Sequence, residues 1–199
     1  MVFAIFSGGE FNNVKIQPYD FLICADRGYD YAMRLNLTPN YVLGDFDSLN
    51  YVPKNAEVVN REKDFSDTEL CLKKAIEKGA KQIDIYFALG GRIDHELFNI
   101  QLLLLAKKHG VNARIIARDC VVELLSPLDN GKKISVEVGK TVSLVPFSNT
   151  VHIISLEGLK YNFNGEIVKG ETKTLSNVAI SDKIAVNILS GEVLLVYFY

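Results

Sequence analysis

Apolar positions along the first 125 residues follow two rhythms. The runs VFAIF, FLICA, YVLGD, AEVVN, IDIYFAL and ARIIAR are continuous enough for buried strands. Between several of them, GYDYAMRLN, DTELCLKKAIEKG and DHELFNIQLLLLAKKHG repeat their apolar residues at three and four, the period of a helix. Strands alternating with helices predict an α/β unit with a mostly parallel sheet, because parallel neighbours need crossover helices and are covered on both faces. Ser66 and Glu69 have the spacing of a capping box, and Gly79 and Gly110 follow Lys78 and His109 as helix stops. After SPLDNGKK the helical period ends. ISVEV, TVSLVPF, VHIISLEG, LKYNF, KIAVNILSG and EVLLVYFY alternate over short spans broken by Gly, Asn, Ser and Pro, which predicts an antiparallel β-sandwich. Two domains follow, 1–125 and 126–199. A sandwich this small has unprotected edges and is expected to pack on something, most simply a second subunit.

Composition narrows the class of function. Of the 199 residues 48% are hydrophobic and 23% charged, the balance of a soluble globular protein, and a net charge of −2 with scattered Lys and Arg leaves no footprint for nucleic acid or an acidic membrane. Cys24, Cys71 and Cys120 are far apart and lack CxxC spacing, so they read as reduced core thiols. MVFAIFSGG lacks the basic start of a signal peptide and IQLLLLA falls far short of a membrane span; a cytoplasmic protein is expected.

The acids gather where open α/β sheets bind ligands, at the carboxyl ends of strands. Asp26 ends FLICA, Asp45 and Asp47 end YVL, Asp64 and Asp67 follow AEVVN, and GGRIDH follows IDIYFAL. Brought side by side, these carboxylates require a hard divalent cation, and Mg²⁺ held by a few carboxylates and substrate phosphates fits. Arg92 is the matching fork for phosphate oxygens, and Gly90 and Gly91 allow backbone to approach a ligand. No G-x-x-x-x-G-K-[ST] occurs, so a bound nucleotide does not rest on a P-loop. Taken alone, GDFDS also has the composition of a turn whose side chains bond their own backbone.

GDFDS, KDFSDTEL and GGRIDH, in this order and spacing, resemble the thiamine pyrophosphokinase family, and LVPFS, GLKY and LSN are similar to its thiamine-binding β domain. The resemblance spans the chain. It implies a Rossmann-like catalytic domain, a β-sandwich domain for thiamine binding and dimerisation, and a homodimer whose active sites are shared between subunits. It also implies Mg²⁺-dependent transfer of the pyrophosphoryl group of ATP to the thiamine hydroxyl, releasing AMP. By motif, Asp45, Asp47 and Asp67 are the implied Mg²⁺ ligands and, with Asp94, the catalytic acids. Asp26, Arg27, Asp64, Thr68, Gly91, Arg92, Asp94 and His95 are expected around the nucleotide, and Tyr161, Ser176 and Asn177 around thiamine. Asp67, Asp94 and His95 are open candidates for the base that takes the hydroxyl proton.

Two positions depart from the family pattern. Ala25-Asp26-Arg27-Gly28 stands where A-D-G-G is common, so Arg27 is either a phosphate contact or a solvated cation. Tyr161 stands where some members have tryptophan, though a phenol ring can still stack on a cationic heterocycle. Two other readings compete. Asp-x-Asp also opens haloacid-dehalogenase phosphatases, but after the first strand and with Thr or Val where this chain has Leu49. A non-catalytic thiamine or nucleotide sensor would keep the same fold.

Overall fold

A computed structural model describes residues 1–60 and 64–199. The chain divides into two compact units, Met1–Arg118 and Asp119–Tyr199. The expected border at residue 125 lies at the far end of a strand, Cys120–Leu125, which pairs residue for residue with Val193–Phe198 and so belongs with the second unit.

The first unit has strands β1 (Val2–Phe6), β2 (Phe21–Ala25), β3 (Tyr41–Gly44), β4 (Glu57–Val58), β5 (Gln82–Tyr86) and β6 (Asn112–Ile116), and helices α1 (Gly28–Arg34), α2 (Asp67–Glu77) and α3 (Ile93–Lys108). All its strand pairs are parallel, in the order β6-β5-β1-β2-β3-β4. The continuous apolar runs follow from this placement. Phe3, Ala4, Ile5 and Phe6 of β1 are all buried, as are Leu22, Ile23 and Cys24 of β2. One polar pair is accommodated: Asp84 on β5, 2% exposed, takes two hydrogen bonds from Arg114 opposite it on β6, at 2.7 and 3.0 Å.

Helix ends fall where their residues placed them. Ser66 caps α2 by accepting from the Glu69 amide at 3.2 Å, while the Glu69 carboxylate bridges to Lys73 one turn on. Gly79 and Gly110 follow the two long helices with φ of +83° and +70°, the left-handed geometry that stops a helix.

The second unit holds two antiparallel sheets. β7 (Cys120–Leu125), β9 (Thr141–Pro146), β12 (Asn177–Val178) and β14 (Val193–Phe198) run in the order β12-β9-β14-β7, while β8 (Ile134–Ser135), β10 (Thr150–Glu157), β11 (Gly165–Val168) and β13 (Lys183–Ser190) run β11-β10-β13-β8. β14 alternates buried and half-buried residues, the period-two pattern of a sheet with one core face. The run LKYNF is not a strand: Leu159 makes one isolated bridge to Ala179, and a loop follows. The three cysteines are free and buried, and desolvation pushes the Cys24 and Cys120 thiols up, the latter to about 11. Among the described residues, no helix is long and apolar enough to cross a membrane.

Candidate active site

The carboxylates are assembled by two turns at neighbouring strand ends. β2 and β3 pair in register from Ile23 opposite Tyr41 to Ala25 opposite Leu43, so Asp26 and Asp45 leave the sheet side by side. Asp26 turns into the left-handed region, φ +45°, its amide still bonded to the Leu43 carbonyl at 2.9 Å. Gly44 makes the approach possible: a Cβ there would sit 3.1 to 3.2 Å from the Asp26 backbone nitrogen, Cα and Cβ. Phe46 turns as well, φ +56°, and buries its ring, leaving Asp45 half-buried and Asp47 exposed. The Asp47 amide donates to Asp45 Oδ1 at 3.1 Å, so the motif is indeed a turn that bonds its own backbone. The same turn gathers acids. Carboxylate oxygens of Asp26, Asp45 and Asp47 all lie within 4.8 Å of one another. Ser48 Oγ donates to Asp26 Oδ2 at 2.5 Å, whereas the buried Asp26 Oδ1 has no hydrogen-bond partner among the described residues. Three hard oxygen donors, one of them orphaned, fit Mg²⁺.

These groups edge a cavity of about 610 Å³ within the first unit. Of the expected residues, Asp26, Arg27, Asp47, Asp67, Thr68, Gly91, Arg92 and His95 line it, while Asp45, Asp64 and Asp94 do not. Asp67, the first residue of α2, shares this wall but is not among the three grouped carboxylates; Asp26 stands there instead. Thr68 is buried, its hydroxyl 2.7 Å from that of Ser7 at the end of β1.

Opposite, the chain leaves β5 through Gly90 and Gly91 into α3. Arg92 is the N-cap of α3 but makes no capping side-chain bond; its fork grips Asp94 through Nε at 3.1 Å and Nη2 at 2.5 Å. This bond, helped by the His95 amide, holds the Asp94 carboxyl below its usual range and raises the guanidinium. The Gly91 amide donates to Glu96 at 2.7 Å.

The turn SGGE, residues 7 to 10 after the first strand, is by its sequence a place able to meet phosphate, and Ser7, Gly8, Gly9 and Glu10 line the cavity. Two other lining residues were not expected from the sequence: Tyr31, which donates to the Gly9 carbonyl at 2.6 Å, reads as core, and Asn99 reads as helix. Asn99 left a usable signal. It shares its helix face with buried Leu102, Leu103 and Ala106, and a polar residue on that face needs a partner, here the Ala88 carbonyl at 2.8 Å.

In the second unit, Tyr161, Ser176 and Asn177 come together. The buried Asn177 amide accepts from the Tyr161 N–H at 3.0 Å and donates to the Tyr161 carbonyl at 2.6 Å, which fixes the loop after Leu159. Ser176 adopts φ +57° and its amide donates to Ser143 Oγ at 3.0 Å. The Tyr161 ring is 59% exposed, with Lys160 Nζ 5.3 Å from its centroid.

Comparisons with known proteins agree across both units. The family profile described as "Thiamin pyrophosphokinase, catalytic domain" matches residues 14–115, and "Thiamin pyrophosphokinase, vitamin B1 binding domain" matches 131–194. The chain is similar to the thiamine pyrophosphokinase of Bacillus subtilis (strain 168), 31% identical over 183 residues, 87% of this chain and 85% of the relative. A rice relative, thiamine pyrophosphokinase 1, is 26% identical over 77% of this chain and 64% of its own length. Among solved structures, those of the pyrophosphokinases from B. subtilis (TM-score 0.89, 27% identity, 100% of this chain and 99% of the other) and Geobacillus thermodenitrificans (TM-score 0.85, 26%, 100% and 98%) share the fold.

Proposed function

The chain belongs to the thiamine pyrophosphokinase family, and we propose that the acidic cavity of its first unit takes ATP with Mg²⁺ and delivers the terminal pyrophosphoryl group to thiamine. The observation that carries this reading is the convergence of Asp26, Asp45 and Asp47 with an orphaned, buried Asp26 Oδ1. Those three residues would hold the metal, Asp26 taking the place expected of Asp67. Mg²⁺ bound there would neutralise phosphate oxygens during the transfer.

The protein's own groups supply position and proton transfer. The Ser7 and Thr68 hydroxyls and the backbone at Gly91 line the triphosphate's path, with Arg27 and Arg92 on its edges. In the reaction the bond between the β-phosphorus of ATP and the oxygen bridging it to the α-phosphorus is exchanged for one from the thiamine oxygen to the β-phosphorus, and the bridging oxygen stays with the α-phosphate. AMP leaves, and the hydroxyl proton passes to a base. Asp94, its carboxyl already lowered by Arg92, is the weaker candidate, which leaves Asp67 and His95 on the cavity wall. Tyr161 offers its exposed face to the cationic ring of thiamine, Ser176 stands beside it, and Asn177 acts by holding the Tyr161 backbone. We propose a cytoplasmic homodimer in which this face serves the cavity of the partner subunit.

The dehalogenase reading is not favoured. Its Asp-x-Asp would follow β1, whereas here it follows β3, and both family profiles are pyrophosphokinase ones. Incubation with thiamine, ATP and Mg²⁺ is expected to give AMP and thiamine diphosphate in equal amounts. ADP or free phosphate as the nucleotide-side product overturns the proposal.

A further inference from the structure

We infer that Arg27, not Arg92, is the cation that first captures the nucleotide's phosphates. The inference deepens the reading above and rests on it. Among the described residues, the cavity wall carries five carboxylates, Glu10, Asp26, Asp47, Asp67 and Glu96, against two guanidiniums, Arg27 and Arg92. Such a wall repels a polyanion unless something positive meets it. Arg92 is already engaged: the Nε–Nη2 edge of its fork is on Asp94, so its charge is paired and a phosphate approaching its remaining N–H donors meets that carboxylate as well. Arg27 has no such commitment. Among the described residues, no carboxylate pairs with its exposed side chain.

Its position is also the better fixed. Arg27 lies between Asp26, whose left-handed turn brings a carboxylate into the cation cradle, and Gly28, which packs so closely on β1 that a Cβ there would meet the Phe6 carbonyl oxygen at 2.1 Å. The Arg27 stem lies against Gly8, whose added Cβ would fall 3.7 Å from Arg27 Cβ. The backbone under this arginine therefore cannot drift, and its planar fork is offered next to the residues that would hold the metal. A guanidinium in that place meets phosphate oxygens with a charge that, among the described residues, no carboxylate has already paired. The two arginines then divide the work. Arg27 sets most of the affinity in the ground state, and Arg92 contributes with a charge it shares with Asp94.

Equilibrium binding of α,β-methylene ATP, which cannot be cleaved at the transferring bond, tests this with Mg²⁺ present. The wild-type protein, R27Q, R27K and R92Q would be compared by calorimetry after circular dichroism has verified that each is folded. R27Q is expected to weaken Kd about tenfold or more, the worth of a charge-assisted contact, with R27K between it and wild type and R92Q weaker than wild type by less than R27Q. Wild-type binding with R27Q equal to it, or with R92Q the more damaging, overturns the assignment to Arg27 and leaves the nucleotide site standing. No binding by the folded wild-type protein overturns the site itself, and the assignment with it.

Discussion

The backbone amide of Asp47 donates to the side chain of Asp45, 3.1 Å away, so the two acids of GDFDS are bound to each other by the turn that aims them. One carboxylate is thus a structural acceptor and, in the proposed reading, a metal ligand, and substitutions can separate the roles. Asp45→Asn keeps the acceptor and the turn but removes a charge from the cradle. Its unfolding midpoint should stay near wild type while kcat/KM falls by about a hundredfold or more, with saturation shifted to higher Mg²⁺. Chelating the metal should silence the wild-type protein. A variant with wild-type rate and metal dependence would return the motif to a turn alone.

Arg92 and Asp94 make a prediction in pH. Asp94 is held below the ordinary carboxylate range, first by the bond to Arg92 and then by the His95 amide. A depressed carboxyl contributes stability that is present above its unfolded value and lost as pH falls through the folded one. Because the pair is exposed, solvent screens it and the effect on unfolding will be small. The cleaner readout is the carboxyl itself. A carbon-13 titration should find Asp94 low in wild type and returned upward in R92Q, and bound α,β-methylene ATP should move it the same way. Identical titration in wild type and R92Q would sink the pairing.

Gly44→Ala should damage the cradle from behind. The added methyl would press at 3.1 to 3.2 Å on the backbone and Cβ of Asp26, the proposed ligand, in a left-handed conformation with little room to yield. A loss of about 1–3 kcal/mol in urea unfolding is expected, the usual cost of overpacking, together with weaker Mg²⁺ dependence. Wild-type stability and metal response would show that Asp26 can move freely.

Tyr161 should report on thiamine. Replacing the ring by Ala removes the exposed face and is expected to raise the KM for thiamine about three- to tenfold, in line with a cation–π contact, while Trp should lower it below wild type. Asn177→Ala should raise the same KM through the loosened Tyr161 loop. An unchanged thiamine KM in Tyr161→Ala would remove the ring from the site.

Arg114→Ala tests the fold alone. It strips the bidentate partner from Asp84, which is 2% exposed, and leaves a carboxylate between β5 and β6. Unfolding in urea should lose about 3 kcal/mol or more. A loss below about 1 kcal/mol would mean that the charge finds another partner or a proton.

The layout of the fold could be read because each element obeys its own period: continuous runs in the parallel sheet, alternation in β14, and a capped start for α2 at Ser66. LKYNF failed because five residues with two aromatics satisfy a strand pattern equally well in a loop, and only the Asn177 amide decides which it is. The acids could be found, but not their grouping. Asp26 joins Asp45 and Asp47 because β2 lies beside β3 and because Asp26 takes a left-handed turn, and neither strand order nor φ is encoded in periodicity. Ser7 and Thr68 meet across 61 positions of sequence, a distance over which spacing carries no information.

The orphaned Asp26 oxygen also ties folding to the ionic surroundings. A buried acceptor that a hydrogen-bond donor does not reach burdens the folded chain, and a divalent ion on that oxygen relieves the burden only in the folded chain. Bound as proposed, Mg²⁺ would then act as a folding effector. Its concentration would govern how long each copy survives heat or proteolysis, as well as how fast it turns over.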